Sequence, residues 1–283
     1  MSYGRQEPPR RKGPSGWKLR LLIAGGIMAF SVISYMTQST TNRITGEKQR
    51  VSIDEKQEMQ MGRQAAPQMI AQHGGLHPSK KDQNVVDRVG NRLLNALQLE
   101  LAEKNLANPY LFDFHLLRDP KVINAFALPG GQVFITYALY QKLQTEGQLA
   151  GVLGHEIGHV LERHGAEHMA KQGLIQGIAG AAGVFGGDVD SARLAQMVAN
   201  FTMMKYGRDD ELESDRWSVM LSSMAGYDPR AMLIVMDILD EASGGGATPE
   251  ILSTHPKPAN RKKYIEDRIE EFFPHGLPPK LRN

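Results

Sequence analysis

The chain contains no cysteine. That removes disulfides, thiolate metal sites, a cysteine nucleophile and a lipid-modified cysteine anchor, and it selects no compartment. A charge excess is missing too. Thirty-three Lys and Arg against 31 Asp and Glu leave +2 over 283 residues, which gives no electrostatic footprint for a nucleic-acid partner. No internal repeat is visible. The most informative absence is local: no Lys, Arg, Asp or Glu occurs between Arg20 and Arg43.

That uncharged stretch includes LLIAGGIMAFSVISYM, residues 21–36. As a helix its 22 residues would span roughly 33 Å, enough for a bilayer core. Trp17 and Tyr35 bracket the apolar run as interfacial aromatics do. Before it, residues 1–20 carry Arg5, Arg10, Arg11, Lys12, Lys18 and Arg20 against Glu7 alone. The pattern predicts a basic cytoplasmic head (1–20), a transmembrane signal anchor (21–42), a polar linker (43–50) and an exported body. A cleaved signal peptide, with Ala29-Phe30-Ser31 as the small-residue site, and a buried core helix are the competing readings. A bacterial periplasm is the default destination, and a mitochondrial inner membrane is the alternative.

The body alternates helical and strand patterns. A helix starts near Val51, with Ser52 and Asp54 as start signals and Gly74-Gly75 as a stop. Residues 83–104 form a second amphipathic helix, with Val86, Val89, Leu93, Leu94 and Leu97 on one face. LFDFHLL (111–117) alternates as a strand does, and NAFALPGGQVFITYALY (124–140) reads as a hairpin turning at Pro129-Gly130-Gly131. Residues 145–242 are helical apart from the glycine-rich GLIQGIAGAAGVFGG (173–187), read as a packed loop with a mobile lid or membrane contact as the alternative. VANFTMMKY (198–206) supplies a Met-rich core stripe. The expected fold is one mostly helical α+β domain over 51–272 with a small antiparallel sheet, followed by a short proline-rich tail, 273–283.

The chemistry concentrates in GHEIGHVLERH, residues 154–164. Thr145-Glu-Gly-Gln148 is a capping box, predicting a helix from there to about 172. His155 and His159 are four apart on it and share a face, with Glu156 one step round. In H-E-x-x-H two imidazoles bind zinc and the glutamate handles the attacking water. On a continuous helix His164 falls on the far side, as a surface residue or one packed behind the ligands, and His168 is set aside likewise. The third ligand is sought in YGRDDELESDRWSVM (206–220). There Asp209 or Asp210 would cap a helix, with Glu211 and Asp215 on one face and Glu213 on the other. Glu211 can then reach the metal, and Asp215 can orient His155 or His159 through a ring N–H.

HEIGH, followed 52 residues after His159 by E-x-x-x-D in a Y-x-R-x-x-E setting, resembles the zinc metallopeptidase family of HtpX, Oma and the CAAX-prenyl endopeptidases. It is closest in style to the envelope members BepA and LoiP, in a single-domain form. NAFALPGGQVFI is similar to the family's sheet-edge segment, and STHP (253–256) followed by Arg261 is similar to its late histidine element. Gly207 stands where serine is common and Ser214 where alanine is common. A single span and the absence of following tandem repeats depart from the multi-span and repeat-bearing members.

The resemblance implies a gluzincin-type domain with one Zn²⁺ on His155, His159 and Glu211, a fourth position left open, and Glu156 as general base. His255 is the candidate oxyanion donor, and the family adds a second role in which it swings onto the metal and silences the enzyme. Arg261 would orient that loop or bind substrate backbone. An extended or unfolded polypeptide would add as a strand along 124–136, starting at Asn124 and Ala125. The implied function is membrane-anchored endopeptidase action in envelope protein quality control. A zinc-containing holdase with a latent site is the alternative.

Overall fold

The computed structural model describes residues 16–182, 205–244, 249–256 and 260–283, excluding the side chains of 16–21 and 177–182. Most of the basic head, the end of the glycine-rich segment and nearly all of the Met-rich stripe lie outside the described residues.

Helix α1 (Gly16–Thr37) covers most of the expected span. Among the described residues no helix is long and apolar enough to cross a membrane. The linker after it is more than a tether. Strands β1 (Thr40–Thr41) and β2 (Lys48–Gln49) pair antiparallel across Asn42–Glu47.

Helix α2 (Glu55–Gln72) begins where the sequence indicates. The Asp54 side chain accepts from the Gln57 amide while the Gln57 side chain accepts from the Asp54 amide. It ends at Gly74 and Gly75, both at positive φ. Helix α3 (Lys80–Glu103) starts a few residues earlier than its apolar periodicity does, because Ser79 caps it.

The main sheet corrects one expectation. Strands β3 (Asp113–Leu117), β4 (Ala125–Leu128) and β5 (Gln132–Thr136) lie in the order β3-β5-β4. The β4–β5 hairpin is antiparallel, as read, but β3 runs parallel to β5, from Asp113 opposite Gln132 to Leu117 opposite Thr136. The sheet is therefore mixed, and central β5 is buried at every residue. The hairpin turn needs its glycines: Gly130 and Gly131 sit at φ of 84° and 109°. A helical turn, α4 (Tyr137–Tyr140), follows.

Helix α5 (Glu146–Leu161) carries the H-E-x-x-H residues through the centre of the core, and every side chain from Gly147 to Leu161 is buried. Thr145 caps it by accepting from the Gln148 amide, but Gln148 reaches back to the Gln144 amide instead of Thr145, so half of the expected box forms. The helix does not run on to 172. It stops at Leu161, Arg163 takes φ 60°, and α6 (His164–Ala182) departs in a new direction. Arg163 is held in that left-handed conformation by tertiary bonds to the Glu58 carboxylate and the Ile53 carbonyl, which a local pattern cannot announce. Residues 173–182, expected as loop, continue α6, which packs against α1.

Helix α7 (Arg208–Met224) lies against α5, followed by α8 (Ala231–Ser243), the short α9 (Glu250–Thr254) and α10 (Arg261–Phe272). The α5–α7 approach depends on glycine. A Cβ at Gly158 would lie 2.9 Å from the Ser214 Cα, and one at Gly154 would lie 3.2 Å from the Ser218 Cα. Ser218 also donates to the Gly151 carbonyl at 2.7 Å. The C-terminal residues return to the body, where Arg282 exchanges backbone bonds with Gly226 and Asp228.

Candidate metal centre

Two helices bring the polar residues together. The α5 repeat of four presents His155 and His159, and α7 presents Glu211 and Asp215 opposite them. Gly207, not Asp209 or Asp210, is the α7 N-cap residue, with the Asp210 carboxylate accepting from its amide at 2.8 Å. That choice starts the helix two residues early and leaves the Glu211–Asp215 spacing intact.

The donor atoms converge. His155 Nε2 is 3.0 Å from His159 Nε2 and 3.5 Å from Glu211 Oε2, and His159 Nε2 is 3.5 Å from Glu211 Oε1. Tetrahedral bonds of about 2.0–2.1 Å separate ligand atoms by about 3.3–3.4 Å, so these spacings bracket a zinc-sized centre. His255 joins the set, its Nδ1 3.0 Å from Glu211 Oε1. Together His155, His159, Glu211 and His255 offer ligand atoms within 4.8 Å of one another, all buried. Both oxygens of Glu156 and the Nε2 of His255 are buried without a hydrogen bond. Uncompensated buried polar atoms are costly, and a cation among them removes the cost, so the residues fit the metal.

Each imidazole is oriented from behind. Asp215 Oδ1 lies 2.9 Å from His155 Nδ1, which leaves Nε2 to face the centre. Asp215 is gripped by Arg261 through Nε and Nη2, both at 2.7 Å, and Arg261 Nη1 lies 2.8 Å from Glu211 Oε2. Arg261 is buried, its guanidinium grips these carboxylates, and it also lines the apolar space beside Glu156 and His255. His159 is backed by a residue the sequence placed only loosely. The break at Arg163 swings His164 round, its Nδ1 2.9 Å from His159 Nδ1 and its Nε2 2.9 Å from Glu213 Oε2. His164 is thus packed behind His159, and Glu213, on the far face of α7 as expected, completes the chain. His168 pairs with Asp210 at 3.0 Å, away from the centre. Tyr206 was missed. Its ring stacks on His159 with centroids 3.9 Å apart. The Y-x-R-x-x-E setting contained it but assigned it no contact.

The electrostatics set burial against Arg261 and the neighbouring histidines and carboxylates. Burial raises the Glu156 carboxyl above the ordinary carboxylate range. Burial also opposes the charge on Glu211, but His255 and Arg261 overcome it and hold that carboxyl well below its usual value. Burial and Arg261 push His155 down, yet Asp215 and Glu211 outweigh them and bring it to about 9, whereas burial carries His159 well below the imidazole range. A carboxylate poised in a dry site beside two oriented imidazoles suits proton transfer to and from a water.

Two spaces adjoin the centre. One is small and apolar, with Val152, Met232, Val235 and Ile251 beside Glu156 and His255. The other runs along β4 from Phe126 to Pro129 and reaches Tyr206 and His255. Strand β4 is an edge of its sheet. The side chains of Asn124 and Ala125 do not line this groove. Both are buried, and Asn124 Nδ2 donates to Glu250 at 2.9 Å.

Comparison with known proteins agrees with this geometry. Mitochondrial metalloendopeptidase OMA1 of Schizosaccharomyces pombe is 30% identical over 278 residues, 95% of this chain and 76% of the relative. The beta-barrel assembly-enhancing protease of Escherichia coli K12 is 31% identical over 228 residues, 77% of this chain, which spans only 45% of that protein. Human metalloendopeptidase OMA1, mitochondrial, is 32% identical over 168 residues, covering 54% of this chain and 32% of its own length. The model of peptidase family M48 matches residues 80–269, which hold the whole H-E-x-x-H helix, Glu211 and His255, and the chain belongs to that family of metallopeptidases.

Proposed function

We propose that the chain is a zinc endopeptidase in which His155, His159 and Glu211 hold the ion and Glu156 is the base. The convergence of those three ligand groups around an unpartnered, buried Glu156 carries the reading. Bound there, zinc would polarise the scissile carbonyl and acidify a water. Glu156 takes the proton of the attacking water and delivers it to the leaving amine. Asp215, locked by Arg261, keeps the His155 lone pair on Nε2, and His164 does the same for His159. An extended polypeptide adds along the free edge of β4, where backbone bonds confer little sequence preference, and the apolar pocket takes one side chain beside the cleaved bond. Asn124 and Arg261 serve the frame of this cleft.

His255 supports a latent resting state within this reading. A ring nitrogen of His255 belongs to the cluster of ligand atoms, so it would supply a fourth protein donor and close the site, as in structural zinc sites. His255 must withdraw before substrate enters, and it is then placed to donate to the developing oxyanion.

The large exposed apolar side chains of α1, among them Leu22, Ile23, Phe30, Ile33 and Met36, support a membrane anchor over 21–42, with a peptidase domain over 51–272 on the far side of the membrane from the basic head. One relative is named a mitochondrial metalloendopeptidase and another a beta-barrel assembly-enhancing protease, which supports a mitochondrial or bacterial-envelope setting for the quality-control role proposed here.

The test is zinc content and casein cleavage by the full chain in detergent, comparing wild type, Glu156→Gln and His255→Ala. One zinc in wild type and Glu156→Gln, cleavage by wild type or His255→Ala, and none by Glu156→Gln is the expected pattern. A folded protein without zinc, or cleavage undiminished in Glu156→Gln, would refute it. Zinc with no cleavage by any variant would favour a holdase.

A further inference from the structure

A second group of carboxylates lies behind the centre, and of its members only Glu213, through His164, touches the arrangement above. Glu47 from the β1–β2 hairpin, Glu162 at the end of α5 and Glu213 on α7 offer ligand oxygens within 4.8 Å of one another. Among the described residues none of the three forms an ion pair with a lysine or arginine, and their one basic partner is His164, on Glu213. Glu162 is buried, at 6% exposure. Its Oε1 accepts from Trp217 Nε1 at 2.6 Å, and its Oε2 has no partner. Gln49, whose Nε2 donates to the Glu162 carbonyl, keeps a buried Oε1 without a partner at the same corner. Three acids, one with an unpartnered buried oxygen, therefore face one another with no lysine or arginine paired to them among the described residues.

We propose that Glu47, Glu162 and Glu213 form a second cation site, for a hard divalent ion of the calcium class. An all-oxygen set of carboxylates, with an amide oxygen nearby, suits such ions, whereas imidazole-rich sets suit zinc. Burial together with the neighbouring Glu213 and Glu47 outweighs the Trp217 hydrogen bond and His164 and pushes the Glu162 carboxyl up to about 7, which fits a corner with little neutralising charge. The ion would bridge three elements. The hairpin already grips the end of α5, with Asn42 Nδ2 donating to the Leu161 carbonyl at 2.8 Å and Gln49 to that of Glu162. Glu213 leads through His164 to His159. Occupancy would fasten the segment that follows α1 to the two helices that carry the zinc ligands. This site does not rest on the endopeptidase reading, since its ligands are distinct from those of the zinc centre.

Trp217 provides the readout. The chain has two tryptophans, so Trp17→Phe leaves Trp217 as the sole indole, bonded to a proposed ligand. The zinc-loaded full chain of this variant in detergent is titrated with terbium chloride, an oxygen-seeking stand-in for calcium. Excitation of Trp217 should produce terbium emission saturating below about 1 mM, and calcium chloride should displace it. Glu47→Gln, an exposed and unbonded side chain, should weaken both ions by roughly tenfold at unchanged zinc content. One millimolar calcium should raise the melting temperature of the parent and leave that of Glu47→Gln where it was. No sensitised emission up to several millimolar, or emission of equal affinity in Glu47→Gln, would overturn the site. Either result would leave zinc binding and cleavage as separate questions.

Discussion

The contact between α5 and α7 makes a single methyl group decisive. Gly158 lies between the two histidines of α5, and a Cβ there would sit 2.9 Å from the Ser214 Cα, 3.0 Å from the Trp217 Cβ and 3.1 Å from the Ser214 carbonyl oxygen. Ordinary contact begins near 3.4 Å, and two of those neighbours are backbone atoms that no side-chain rotation can move aside. Helix α7 would have to retreat by about 0.5 Å. Overpacking of this kind costs about 3 kcal/mol, and the better helix propensity of alanine returns about 1. The net loss of about 2 kcal/mol corresponds to a fall of roughly 4–8 °C in melting temperature. Ser214 sits between Glu211 and Asp215, so the same retreat carries the third ligand and the His155 partner away from the centre. Half an ångström exceeds the roughly 0.2 Å tolerance of zinc bonds, and zinc affinity should fall at least about tenfold. Gly173→Ala is the control. That glycine is exposed on α6, and a Cβ added there would meet nothing within 4 Å, so alanine should add about 1 kcal/mol and a few degrees. Melting scans and zinc competition against a chelator measure both. A Gly158→Ala protein as stable as wild type and binding zinc equally well would refute the close-approach reasoning.

Two further outcomes follow from the groups around the ligands. Asp215→Asn replaces an obligate acceptor with a side chain that can donate to His155 Nδ1, moving its lone pair away from the centre and leaving Arg261 less neutralised. Zinc affinity measured by competition should drop about 10- to 100-fold, and a change below threefold would count against the orienting role. Burial raises Glu162 from 4.5 to about 7, so the folded protein binds that proton more tightly than the unfolded chain does. Its contribution to stability is complete below pH 4.5 and is lost as pH rises through 7, by roughly 3 kcal/mol at most. In buffer free of divalent ions, Glu162→Gln should flatten that part of the stability profile, and an unchanged slope would show that Glu162 is not its source.

The site was legible because its signals are local. A cap at Thr145, a four-residue histidine spacing and a four-residue Glu211–Asp215 spacing each follow from helix geometry alone, and the structure keeps all three. What escaped was set by contacts distant in sequence. The α5–α6 break is imposed by Glu58, 105 residues before Arg163 in the chain, and only that break turns His164 toward His159. The parallel register of β3 against β5 leaves no mark on either strand's own alternation. Gly207 replaced the expected aspartate caps because Asp210 bonds back from inside the helix, which a search for an acid at the cap position overlooks. The hairpin at 40–49 was hidden by its polar composition, since its strands are two residues long and pack through Asn42 and Gln49.

Helix α5 has no face toward water between Gly147 and Leu161. Its amides therefore have no shallow route to hydrogen exchange and should open only when the whole domain opens. Ordinarily a metal site can fray by the loosening of one surface ligand. In the proposed zinc site both imidazoles ride on the segment that is last to exchange, so the lifetime of a bound ion and the lifetime of the fold would become one clock.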